Sequence, residues 1–122
     1  MHRVDKSRPL TLLAGGVLGA AGIALAAAAS HGDDTRHLAT ASMMCLVHAP
    51  ALIGLQACQH IFRTATLAAV VITLGTFLFA GDLVSRHFLG DRLFAMAAPI
   101  GGFTMIAGWL LVGAGAFMPA RR

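Results

Sequence analysis

Residues 10–29 read LTLLAGGVLGAAGIALAAAA, about twenty positions without a single charge. That is the length a helix needs to cross roughly 30 Å of hydrocarbon. Arg3, Lys6 and Arg8 precede the stretch, and Pro9 opens it. Proline suits the first turn of a helix, where its missing N–H has no partner to lose. The basic start and the run Ala27, Ala28, Ala29, Ser30 also resemble a cleaved signal peptide. The apolar core exceeds the usual 7–15 residues of such a peptide, so a retained span is expected.

Three further apolar segments follow, at residues 39–60, 64–83 and 93–117. The second is the least apolar and carries His48, Pro50, Gln56 and Gln59. Pro50 is expected to kink it or to leave a carbonyl without its helical donor. The third is the greasiest and ends near Asp82; the fourth holds Trp109. Runs of this length without alternation are not barrel strands, which show a dyad period over about ten residues. The polar stretch 30–38 is expected to be a loop in which Asp33 or Asp34 caps the next helix. The fold class is therefore all-α: a single domain over residues 1–122, an integral membrane four-helix bundle.

Composition agrees. Of 122 residues, 57% are hydrophobic and only 11% charged. Soluble domains sit nearer 45–50% and about 25%. A soluble catalytic domain has no room beside four spans. The formal charge of +4 does not point to nucleic acid, because the basic residues flank apolar segments instead of forming a face. Arg3, Lys6, Arg8, Arg63, Arg121 and Arg122 fall on one side of such a bundle, and Arg36, Arg86 and Arg92 on the other. The positive-inside rule then expects both termini in the cytoplasm. Cys45 and Cys58 lie about 20 Å apart along one helix, too far to form a disulfide with each other.

Small residues recur at four-residue spacing. Gly15 with Gly19, Gly16 with Ala20, Ala97 with Gly101, and Ala98 with Gly102 are expected to let helices approach closely, chiefly within the bundle. A faint echo between Ala49, Pro50, Ala51 and Ala98, Pro99, Ile100 hints at a parallel duplication of a two-span unit.

Four strings share an order across the chain. The first span ends in Ala29, Ser30, His31, Gly32. The second carries His48, Ala49, Pro50, Ala51, Leu52. The third ends in Leu78, Phe79, Ala80, Gly81, Asp82. The fourth has Pro99, Ile100, Gly101, Gly102 and then Gly108, Trp109. In this the chain resembles the YgdD-like family of small inner-membrane proteins, the domain of unknown function 423. The resemblance covers nearly the whole chain. It implies a four-span fold in the bacterial inner membrane and no particular activity. The chain departs from the family pattern in lacking Tyr, and in placing Asp82 where a small hydroxyl residue is usual.

His48 is the sharpest chemical candidate, since an ionisable group deep in a span is a functional hypothesis by default. It suits a haem or metal ligand, a proton relay or a quinone contact. The plainer expectation is a neutral imidazole donating to a carbonyl freed by Pro50 or Pro99. His31, His37, His48, Asp82 and His87 are weighed as a converging metal or haem site, with His31 and His48 the cofactor candidates. Their spacing matches no compact metal motif, so no cofactor or metal is expected. Asp82 is expected to be a solvated end residue, or the partner of Arg86 one turn on. No phosphate loop or nucleophile triad is present, so no enzyme activity is expected. The most favoured role is an accessory or structural membrane subunit, with lipid and other membrane subunits or a second copy as partners. An oligomeric transporter or channel, and a redox or quinone-linked subunit, are the alternatives.

Overall fold

The computed structural model describes residues 7–119. Arg3, Lys6, Arg121 and Arg122, which weigh in the charge bias, lie outside the described residues. Four helices follow in order: α1 (Ser7–Ala29), α2 (Arg36–Ala57), α3 (Ala65–Leu89) and α4 (Ala97–Ala114), the last continued by a 3-10 turn, Gly115–Phe117. All four are long and apolar enough to cross a membrane. With 22 residues α2 reaches about 33 Å, and with 25 residues α3 reaches about 37 Å.

Each boundary has a local cause. In α1, Pro9 sits in the first turn. The start of α2 moves out to Arg36, and its N-cap is Thr35, not Asp33 or Asp34. The Thr35 hydroxyl instead donates to the Ala29 carbonyl at 2.7 Å, closing the end of α1. Asp34 takes a left-handed conformation (φ 48°) and meets Arg36 in an exposed pair at 3.3 Å. The helix runs on through Pro50, whose ring is exposed. At the other end of the molecule, α3 does not stop at residue 83. It continues to Leu89, where Gly90 adopts φ 72° and ends it. A left-handed residue just past a helix is a common stop, and glycine takes that conformation without penalty. The start of α4 moves in correspondingly, to Ala97, with Pro99 in its first turn.

The helices pack as two antiparallel hairpins, α1 with α2 and α3 with α4, joined chiefly along α2 and α3. The outer helices α1 and α4 do not close the ring, and the bundle is an open one. Its core is built from Leu18, Cys45, Leu52, Ala65, Ala68 and Ile72, all nearly inaccessible. Ile23, Leu74, Phe103 and Leu110 stand exposed, as lipid-facing side chains do.

Close approach depends on glycine. A methyl group placed on Gly75 would lie 2.8 Å from the Met105 backbone nitrogen and 2.9 Å from the Gly101 carbonyl oxygen. One on Gly101 would lie 2.7 Å from the Phe79 nitrogen. Gly108 and Gly115 continue the same edge of α4, one heptad apart, against Ile72 and Phe62. A methyl group on Gly15 would lie 2.9 Å from Ile53 and one on Gly19 3.7 Å from Ala49, whereas one on Gly16 would meet open space. Pro50 lies deep inside α2 while Pro99 lies in the first turn of α4. The echo between their surrounding strings thus falls at non-equivalent places and does not describe a repeat.

Candidate functional site: two buried polar braces

His48 lies twelve residues into α2, about 18 Å from its start and near the middle of the span. That is deeper than a helix beginning at residue 39 would put it. Trp109 lies equally far into α4, which runs in the same direction. Their rings meet at 5.8 Å between centroids, tilted by 55°. Trp109 Nε1 donates to His48 Nε2 at 3.0 Å. An indole nitrogen is only ever a donor. The imidazole must therefore accept at Nε2 and carry its proton on Nδ1, which lies 2.8 Å from the Met44 carbonyl oxygen. The ring is 5% exposed, and both nitrogens are spoken for.

This differs from the expected bond to a carbonyl freed by proline. The Ala95 carbonyl, four residues before Pro99, accepts from the Arg92 guanidinium at 3.1 Å. His48 uses its own helix on one side and a second helix on the other.

The second brace surrounds Asp82. Its carboxylate is fully buried, seven residues before the end of α3, and so is not a solvated end residue. Oδ2 accepts from Arg86 at 2.8 Å (Nη2) and 3.0 Å (Nε). Oδ1 accepts from the Leu93 backbone N–H at 2.8 Å. One turn of helix thus holds the pair, and the other oxygen holds the loop entering α4. The Ser85 hydroxyl donates to the Asp91 carbonyl at 2.7 Å and pins the same loop. Among the described residues, every buried side-chain nitrogen or oxygen has a hydrogen-bond partner.

The structure does not bring together the cluster weighed as a metal or haem site. His31 and Gly32 sit in the exposed loop after α1, where Gly32 has φ 92°. His87 stacks edge-on against Phe88 at 4.8 Å. Among the described residues, no three His, Cys, Asp or Glu side chains are placed to hold a metal ion. A methyl group placed on Gly81 or Gly102 would meet Leu93 or Phe79 only at ordinary contact distance. The sequence offers no sign of two hydroxyl braces, Ser42 to the Gly22 carbonyl and Thr64 to the Leu111 carbonyl. Both join helices within a hairpin, and a lone Ser or Thr in a span looks the same whether it bonds its own turn or a neighbour.

Residues 16–102 match the family described as Protein of unknown function (DUF423). A stretch of 55 residues is 38% identical to the UPF0382 inner membrane protein YgdD of Escherichia coli (strain K12). It covers 45% of this chain and 42% of that protein. The proteins of the same name from Escherichia coli O157:H7 and Shigella flexneri match to the same extent. The match therefore spans less than half the length of these relatives. No solved structure matches the chain.

Proposed function

The chain belongs to the DUF423 family and is a multi-pass inner-membrane protein, and from that premise we propose that it is an accessory or structural subunit. It packs through its lipid-facing helices against larger membrane subunits or against a second copy. One observation carries this: the two deeply placed ionisable side chains, His48 and Asp82, spend their bonding capacity on the protein itself. Carriers and redox subunits present such groups to a substrate path. Here they hold helices in place, which is what a rigid packing unit requires.

Both termini face the cytoplasm. Four spans put them on one side, and six Lys and Arg residues against three favour that side as the inner one. Alkaline phosphatase inserted at Gly90 is expected to be active, and green fluorescent protein after residue 122 to fluoresce. The reverse pattern overturns the orientation.

The role is tested by purifying the chain in mild detergent and identifying what travels with it by mass spectrometry. Larger membrane subunits in fixed ratio, or a defined oligomer, are the expected outcome. A lone monomer that raises ion flux in liposomes would instead establish transport.

A further inference from the structure

A groove of ≈ 580 Å³ runs along the surface of the α3–α4 hairpin and opens to one side. Phe79 and Leu83 of α3 make one wall, and Phe103 and Ile106 of α4 the other. Arg86 and Arg92 line its polar end. Along α3, Arg86 lies seven residues beyond Phe79, so the apolar wall extends about 10 Å beneath the guanidinium. Arg86 itself is one turn from the end of its helix, where long basic side chains reach toward the headgroup level.

The charge in the groove is one-sided. Two guanidinium groups line it and no carboxylate does. Asp82, the counter-charge of Arg86, is fully buried behind it, with both oxygens occupied. Asp91 spends one carboxylate oxygen on the Arg92 backbone N–H in the exposed loop. Of the five N–H donors of a guanidinium, Arg86 directs Nε and Nη2 to Asp82. Its remaining donors are free to meet an anion. Asp82 thereby acts as a positioning residue that fixes the plane of the Arg86 head. Planar guanidinium groups are suited to phosphate oxygens.

We propose that this groove binds an anionic phospholipid, its phosphate between Arg86 and Arg92 and one acyl chain between the Phe79–Leu83 and Phe103–Ile106 walls. An amphiphile matches both ends of the groove, whereas a free phosphate leaves the apolar walls unused. The assignment does not depend on which leaflet the α3–α4 loop faces, nor on the subunit role.

The test is native mass spectrometry of the full chain in detergent with equal amounts of palmitoyl-oleoyl phosphatidylglycerol and phosphatidylcholine. Wild type is expected to retain the anionic lipid preferentially, and Arg92→Gln to lower that preference about fivefold, the effect of one basic residue at a membrane surface. Arg92→Gln leaves the Asp82–Arg86 pair intact and removes only an exposed bond to the Ala95 carbonyl, so the fold is expected to hold. Gly102→Leu fills the groove without changing charge, and is expected to release both lipids. Equal retention of the two lipids by wild type overturns the proposal. So does an equal loss on Arg36→Gln, which removes an exposed charge that does not line the groove, or unchanged binding in Gly102→Leu.

Discussion

Trp109→Phe is expected to loosen the fold by about 1–1.5 kcal/mol, and the structure says why the figure is neither zero nor large. The substitution leaves a ring of similar width but removes the indole N–H. His48 Nε2, on a ring only 5% exposed, then has no donor. In water-soluble proteins a buried acceptor left this way costs about 1–3 kcal/mol. Between membrane helices the measured worth of such bonds averages about 0.6 kcal/mol and reaches about 1.7, because the separated helices also find partners. Trp109 is 43% exposed on its lipid side, so the lost ring contributes little packing. His48→Phe should cost a similar amount by stranding the indole N–H, while the Met44 carbonyl keeps its helical donor. The double variant loses the bond once and strands nothing. The cycle should therefore show coupling of about 0.6–1.7 kcal/mol, or about three- to sixteenfold in the unfolding equilibrium. Unfolding in mixed detergent micelles, read by energy transfer between dyes on the two outer loops, supplies the four numbers. Single effects that add to within about 0.3 kcal/mol would refute an energetic link between α2 and α4 at this point.

Two glycines make opposite predictions in the same assay. Gly75→Ala drives a methyl group into two backbone atoms of α4, which cannot rotate away, and should cost about 2 kcal/mol or more as the hairpin separates. Gly16→Ala meets nothing and replaces a flexible helical residue, so stability should hold or rise by up to about 1 kcal/mol. At the second brace, Arg86→Met leaves the buried Asp82 carboxylate without its cation. A loss of about 3 kcal/mol is expected, at the low end for a broken buried pair because the Arg86 side chain is 23% exposed in the native pair. Asp82→Asn keeps an acceptor for the Leu93 N–H and strands only the more exposed partner, so its loss should be clearly smaller. An Asp82→Asn loss as large as that of Arg86→Met would place the weight on the charge and not on burial.

The four spans are legible in the sequence because the signal is one of length: twenty apolar positions between charges leave few alternatives. Boundaries are less legible where hydropathy and helix geometry part company. The polar turn after residue 83 looks like a loop, yet its backbone bonds continue the helix until Gly90 permits the chain to leave. That glycine is the missed stop signal. The Asp82–Arg86 pair is legible as a four-residue spacing. Its burial is not, since nothing local says that the loop entering α4 folds back to donate the Leu93 N–H. His48 stands out in isolation, but its partner lies 61 positions away. Only the tertiary packing sets the two side by side.

The placement of that pair bears on how the open bundle stays fixed. The α2–α3 seam joins the two hairpins, and α2 and α4 otherwise hardly pack. Apolar side chains gain little by leaving lipid for one another, so a single seam between hairpins resists sliding and twisting weakly. A hydrogen bond near mid-span, off the seam, opposes that motion because any slip of α2 against the α3–α4 hairpin strands two polar atoms in hydrocarbon. A histidine serves this purpose when it is held neutral, with one nitrogen donating within its own helix and the other accepting across the gap. The same arrangement leaves the imidazole without a free lone pair for a ligand. The feature that first marks His48 as reactive is thus used up in bracing the fold, and the ligand-binding role we propose falls instead to the groove that the arginines line.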